Sequence, residues 1–273
     1  MNPYIEIMRP NVCVLAVLGV LVGAILFPAL DLVRLTIAVA AAFLICAGGN
    51  VINDYYDFEI DKINKPKRPM PSGKITHHKA LSHYFTLSAV GLLLALFVSM
   101  SYFSIAVFNF MLSTLYAWKL KRIALIGNMT DSFLASVTFI SGGLVSGTFF
   151  DVIKSPVLIL AFIAFLTTMG REIFKSVEDV SGDKIAGAKT IAVVAGEAFS
   201  MSVARSFVML GIVAAVIPYA LKMFGVYYII AVVPCVAVLM YSATLKNPAK
   251  AQKTVKIGMF LGIFAFLVGA FTL

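Results

Sequence analysis

Long apolar runs separated by short polar joints fill the chain, at about residues 10–29, 32–52, 80–99, 102–118, 129–149, 156–173, 199–221, 225–244 and 255–272. Each comes close to the ~20 apolar residues that a membrane-crossing helix needs. None alternates apolar and polar positions in the ~10-residue segments of an outer-membrane barrel. The pattern predicts an all-α membrane protein, a single domain over residues 1–273 with nine transmembrane helices. Short joints leave the third/fourth and fifth/sixth boundaries open by several residues. The first run ends without a small-residue cleavage site, so it is expected to be retained as a span. Composition agrees: 61% of residues are hydrophobic, against about 45–50% in soluble domains.

Charge changes the picture by assigning sides. The chain carries 22 Lys and Arg against 13 Asp and Glu, a formal net charge of +9. Such an excess would suit a nucleic-acid binder, but its distribution gives it another meaning. With nine spans, the N-terminus and the 2–3, 4–5, 6–7 and 8–9 connections share one side. That side holds 18 of the 22 basic residues: Arg9, six in 54–79, three in 119–122, four in 171–189 and four in 246–256. The other side holds only Arg34, Lys154 and Lys222, and Arg205 falls within a run. Basic connections mark the cytoplasmic side, so the excess is a topology signal and implies no nucleic-acid partner. Cys13, Cys46 and Cys235 stand singly in apolar runs, which predicts small buried side chains rather than disulfides. His77, His78 and His83 lack a fourth ligand at zinc-like spacing.

The acids are concentrated. Two long connections, 54–79 and 171–198, carry Asp54, Asp57, Glu59, Asp61, Glu172, Glu178, Asp179 and Asp183. If the second helix continues to residue 61, Asn50, Asp54, Asp57 and Asp61 fall at i, i+4, i+7 and i+11 on one face. In "REIFKSVEDVSGDK", Arg171, Lys175, Asp179 and Asp183 follow at successive i+4 positions, with Gly182 expected to loosen that helix near its end. Both segments end an even-numbered span, which hints at a pseudo-repeat. Like charges on one face repel unless a cation lies between them. Carboxylates with an amide oxygen, and no Cys or His, select a hard cation, and magnesium is typically held by one or two carboxylates plus substrate phosphate. Two such clusters predict two Mg2+ ions bridged by a diphosphate; two solvated interfacial faces are the alternative.

Basic residues surround both motifs. Lys62, Lys65, Lys67, Arg68 and Lys74 follow the first, Lys119, Lys121 and Arg122 stand in "YAWKLKR", and Arg171, Lys175, Lys184 and Lys189 flank the second. Arg68, Lys119, Arg171 and Lys175 are the better phosphate candidates because they adjoin a motif or a helix end. The topology bias accounts for the rest equally well. Asn128 and Asp131 share a face at the start of the fifth span, where they either line an acceptor pocket or start the helix. Tyr116 and Trp118 are most simply interfacial aromatic anchors.

At these residues the chain resembles the UbiA superfamily of intramembrane prenyltransferases. "NDYYDFEID" fits that family's N-D-x-x-D-x-x-x-D motif at Asn53, Asp54, Asp57 and Asp61, and "DVSGD" fits its D-x-x-x-D motif at Asp179 and Asp183. Its Tyr–Lys element corresponds to "YAWKLK", which leaves Lys119 and Lys121 open as the phosphate ligand. "MNPYIEIMRPNVCVLA" and "NDYYDFEIDKIN" are most similar to the archaeal digeranylgeranylglyceryl phosphate synthases. The resemblance implies a helical bundle around a central cavity, capped by cytoplasmic loops in a cell membrane. It also implies geranylgeranyl transfer from geranylgeranyl diphosphate to the hydroxyl of geranylgeranylglyceryl phosphate, a lipid-like acceptor. In physical terms, two Mg2+ ions and basic side chains would stabilise the departing diphosphate.

An aromatic or quinone-precursor prenyltransferase of the same superfamily would carry the same motifs. A CDP-alcohol phosphotransferase would need a longer D-G-x-x-A-R pattern that this chain lacks. A cation transporter would place its charges near the membrane midplane, whereas these acids lie at span ends.

Overall fold

A computed structural model describes residues 2–27 and 30–272. Its long helices are α1 (Pro10–Ile25), α2 (Leu32–Tyr56), α3 (His77–Leu96), α4 (Met100–Trp118), α5 (Ile126–Gly143), α6 (Val157–Glu178), α7 (Glu197–Ala214), α8 (Val226–Thr244) and α9 (Pro248–Phe271). Seven helices, α2, α3, α4, α6, α7, α8 and α9, are long and apolar enough to cross a membrane. The other two fall short for different reasons. α1 has 16 residues, and the expected first span ran on to Pro28 and Ala29, which lie outside the described residues. α5 has 18 residues but buries Asn128, Thr130, Ser132, Ser136 and Ser141 against its neighbours.

Several helices overrun their apolar runs on one side. α2 reaches Tyr56, α6 reaches Glu178 and α9 starts at Pro248. Polar residues continue a helix when its caps and hydrogen bonds permit, whatever the lipid boundary. On the opposite side α5 stops at Gly143, and a separate short helix, Phe149–Lys154, precedes α6. The Thr148 hydroxyl and the Asp151 carboxylate close a capping box at its start, a local device strong enough to nucleate one turn.

Burial runs inside out relative to a soluble bundle. Phe85, Leu93, Phe97, Met111, Phe162, Leu210, Val213, Ile230 and Phe264 are large, apolar and exposed, as a hydrocarbon surround requires. α6 is the most buried span and packs against α5, α7 and α9. Small residues let the helices approach. A Cβ on Gly23 would lie 2.0 Å from the Phe139 carbonyl oxygen, and one on Gly142 would lie 2.1 Å from that of Val20. Gly23 of α1 thus meets α5 backbone to backbone, while Gly19, one turn earlier, makes room for the Thr138 side chain, the small-xxx-small contact of membrane helices. Buried tyrosines tie other pairs: Tyr102 donates to the Ala38 carbonyl at 2.7 Å and Tyr228 to that of Ala215 at 2.7 Å.

Every long helix except α3 contributes to the lining of one central cavity of ≈ 280 Å³. Its apolar end is walled by residues such as Val20, Phe139, Val232, Ile263 and Phe266. Its polar end carries Arg9, Asn50, Asn53, Asp131, Arg171 and Lys175.

Candidate active site

Connections from one end of the bundle close over the polar mouth. Lys65, after α2, reaches Asp179 after α6 at 3.6 Å. Lys121, after α4, reaches Asp57 at 2.6 Å. The Lys189 amide donates to the Arg122 carbonyl at 2.9 Å, and Gln252 of α9 donates to Glu178 at 3.1 Å. Residues remote in sequence therefore form one polar layer.

The two acidic motifs are built alike. α2 ends at Tyr56, Asp57 forms a one-residue break, and a short helix, Phe58–Asn64, follows. α6 ends at Glu178, Asp179 forms the break, and Val180–Ile185 follows. The expected uninterrupted helix to residue 61 is thus corrected, yet its register survives. Asp57 N–H donates to Asn53 and Asp61 N–H to Asp57, while Asp179 N–H donates to Lys175 and Asp183 N–H to Asp179. This i→i−4 bonding keeps the acids on one side of each break. Gly182 does not loosen its helix. It is buried, and a Cβ there would stand 2.0 Å from the Asn64 amide nitrogen, so the glycine lets the two short helices dock.

Individual acids have different surroundings. Asp54 is buried, closes on Arg9 and accepts from Arg68 at 3.2 Å. Arg68 also reaches Asp61 at 2.5 Å. Asp57 accepts from Asn53 at 3.0 Å as well as from Lys121. Asp183 accepts from the Thr190 hydroxyl at 3.0 Å. Burial raises the Asp61 carboxyl above the usual range, with Asp57 and Asp54 adding to the effect against the pull of Arg68. Burial raises Asp183 too, with Asp179 and Asp57 contributing. The two motifs thus sense each other electrostatically. Burial lowers the Lys121 ammonium against the attraction of Asp57.

This donor set fits a hard divalent cation. Every candidate ligand is oxygen, and buried carboxylates that repel one another are relieved when a cation joins them. Among the described residues no three His, Cys, Asp or Glu side chains make a ready-formed cage. Magnesium needs no such cage, since it takes one or two carboxylates and completes its shell with water and phosphate. Asn50 stands apart: its amide nitrogen donates to the Met8 carbonyl at 2.9 Å, which ties the Pro3–Met8 helix to α2.

Other expected residues sort clearly. Between Lys119 and Lys121 it is Lys121 that meets the first motif, while Lys119 is exposed, as are Lys67 and Lys184. Tyr116 faces the cavity and is no interfacial anchor; Trp118, 58% exposed, is free to act as one. Asn128 neither lines the pocket nor caps α5, whose N-cap is Leu125. It donates to Ser176 at 3.1 Å and fastens α5 to α6. Asp131 does line the cavity. Arg171 and Lys175 both close on Glu172, at 2.7 and 3.0 Å, and both face the cavity.

Two participants carry no distinguishing mark in the sequence. Arg9 reads only as a topology charge, yet it sits in the left-handed region (φ 51°) between the first short helix and α1 and reaches Asp54. Glu172 reads as just one of the clustered acids, yet it is buried and holds two cations. Cys13 and Cys46, distant in sequence, come together beside Asn50, whose amide nitrogen lies 3.6 and 3.9 Å from their sulfurs. All three cysteines are free thiols.

Known proteins share this architecture. The digeranylgeranylglyceryl phosphate synthase of Methanopyrus kandleri is 37% identical over 272 residues, covering 98% of both chains. A solved digeranylgeranylglyceryl phosphate synthase structure superposes with a TM-score of 0.78 at 35% identity, covering 99% of this chain and 98% of that one. A UbiA homolog from Archaeoglobus fulgidus bound to GPP and Mg2+ has the same fold, with a TM-score of 0.76 at 18% identity over 97% of this chain and 98% of its own. The model of the UbiA prenyltransferase family matches residues 12–264, and with paired aspartate motifs above a central apolar cavity the chain belongs to that family.

Proposed function

We propose that the chain transfers a geranylgeranyl group from geranylgeranyl diphosphate to the free hydroxyl of geranylgeranylglyceryl phosphate, forming the second ether bond of an archaeal membrane lipid. The observation that carries this reading is the meeting of two aspartate motifs, with Lys65, Arg68 and Lys121 among them, above an apolar cavity. Relatives that match nearly end to end bear the name of that synthase. The nine long helices are read as nine spans, with the motif end in the cytoplasm, where Lys and Arg are abundant.

The donor divides along the cavity. Its apolar tail suits the Phe139–Phe266 end, and its diphosphate suits the polar mouth. Asp54, Asp57, Asp61, Asp179 and Asp183 would hold two Mg2+ ions there, as the A. fulgidus homolog holds Mg2+ with its prenyl diphosphate. Bound magnesium would stabilise the charge that develops on the leaving diphosphate. Lys65, Arg68 and Lys121 already lie against these carboxylates and supply cations for the phosphate oxygens. An alcohol is a weak nucleophile, so the allylic C1–O bond must be strongly polarised before attack. The surrounding helices exclude water that would otherwise hydrolyse the donor. Arg9, Arg171 and Lys175 face the cavity mouth, and their cationic groups suit an acceptor bearing phosphate even though Asp54 and Glu172 also contact them.

Purified protein given geranylgeranyl diphosphate, Mg2+ and either geranylgeranylglyceryl phosphate or 4-hydroxybenzoate tests the reading by product analysis. The diether phosphate is expected, with little or no prenylated aromatic acid and no product in excess chelator. Efficient use of the aromatic acid, with the glyceryl phosphate ignored, would transfer the chain to the aromatic branch of the family. Full activity in chelator would overturn the magnesium assignment.

A further inference from the structure

Ether formation releases the acceptor's hydroxyl proton inside a cavity that excludes water, so some group must take it. Among the described residues lining the cavity, Asp131 is the single carboxylate. The charged and titratable groups around it are Cys46 of α2, Tyr116 of α4, and Arg171, Glu172 and Lys175 of α6. Glu172 already engages both Arg171 and Lys175, and among the described residues Asp131 closes no ion pair of its own. A second observation points to a ligand at this level. Asn109 Oδ1, Thr168 Oγ1 and Arg171 Nε are buried without a hydrogen-bond partner, and all three residues line the same cavity. Thr168 is 1% exposed. Buried polar atoms are normally paired, so three orphans on α4 and α6, whose residues line one cavity, mark a place for a polar group that the protein itself does not supply.

We propose that Asn109, Asp131 and Thr168 form the subsite for the acceptor's hydroxyl, and that Asp131 takes its proton. The proposal rests on the prenyl-transfer reading above. In the step, the C1–O bond to diphosphate breaks and its electron pair leaves on the diphosphate. The hydroxyl oxygen forms the new C1–O bond, and its proton passes to the Asp131 carboxylate, which becomes a neutral acid. Thr168 and Asn109 orient the glycerol end, and Arg171 binds its phosphate. Glu172 is a positioning residue: by holding Arg171 and Lys175 it keeps either cation from pairing with Asp131 and quenching it as a base.

Asp131→Asn, Asp131→Glu and Thr168→Val separate this assignment from its rivals. Each is purified in detergent, and turnover is followed from pH 5 to 9 alongside binding of a non-ionisable thiolodiphosphate donor analogue. Asp131→Asn should lower kcat roughly 100-fold, the usual worth of a positioned base, leave analogue binding within about 3-fold, and abolish the acidic limb of the kcat profile. Asp131→Glu should keep that limb and part of the rate. Thr168→Val, which removes only the hydroxyl, should raise KM for the acceptor and not for the donor. Asp131→Asn activity within about 3-fold of wild type, or an unchanged acidic limb, overturns the proposal and leaves the proton to the departing diphosphate. Should Asp131→Asn fail to fold, loss of the acidic limb in a folded Asp131→Glu protein overturns it as well. If wild-type protein ignores the glyceryl phosphate but prenylates another acceptor, the acceptor reading fails; the same comparison with that acceptor still decides the base.

Discussion

At the scale of residues, Asp54 and Asp179, both proposed Mg2+ ligands, stand in unlike settings. Asp54 is buried between two guanidinium groups, whereas Asp179 is part exposed and meets one lysine at 3.6 Å. Asp54→Asn leaves Arg9 and Arg68 facing a neutral amide. It should cost about 2–3 kcal/mol of stability, at the upper end for hydrogen bonds to charged groups. Asp179→Asn should cost no more than about 1 kcal/mol, because solvent screens the Lys65 contact. Both should lose at least roughly 100-fold in turnover, since each removes charge from the proposed diphosphate site. Thermal unfolding in detergent, run beside activity, checks the contrast; equal stability losses would contradict it. The motif aspartates were legible in the sequence because their helical spacing is local. Arg9, Asn109, Thr168 and Glu172 were not, because their roles depend on what stands across the cavity from them. The same limit left Lys119 and Lys121 indistinguishable by sequence until the turn at Leu120–Arg122 swung Lys121 toward Asp57.

At the scale of elements, apolar run length located the helices but misplaced their ends, because caps and backbone bonds rather than hydropathy decide where a helix stops. α6 runs five residues past its expected end, and the Asp57 and Asp179 breaks have no counterpart in periodicity. The α1–α5 contact was partly legible: Gly19 and Gly23 have the i, i+4 spacing of a close helix crossing, but the sequence does not say which helix they meet. Gly23→Ala would drive a methyl group into the Phe139 carbonyl, and Gly142→Ala one into that of Val20. Backbone cannot rotate away as a side chain can, so each substitution should destabilise by about 1–3 kcal/mol or more. Gly225→Ala is the matched control. It is exposed, its φ is −81°, and the nearest atom to an added Cβ is the Thr272 carbonyl oxygen at 3.7 Å. Its cost should stay near 0.5 kcal/mol or below. Comparable melting temperatures for all three variants would remove the case for a backbone-to-backbone crossing.

At the scale of the whole molecule, charge and chemistry fall at the same end. The motif helices, the 3-10 turn and the segment around Lys189 interlock there through ion pairs and one backbone hydrogen bond. The same end carries 18 of the 22 Lys and Arg residues. A membrane protein is oriented by this asymmetry because basic connections resist translocation, so the position of the site follows from topology and needs no feature of its own. Diphosphates bear several negative charges and do not cross a bilayer unaided, which accords with the proposed cytoplasmic mouth. Ser72 tests this directly: it is exposed, lies in the connection after the first motif and belongs to no ion pair among the described residues. Cys13, Cys46 and Cys235 are small buried or half-buried thiols, not disulfides, so replacing them with alanine gives a usable background for Ser72→Cys. In intact cells a membrane-impermeant maleimide should leave that cysteine unlabelled, and it should react fully once the membrane is opened. Labelling from outside would reverse the orientation and put the diphosphate site on the external face. A second cysteine at Lys222, exposed on the opposite side, should show the inverse pattern in the same cells.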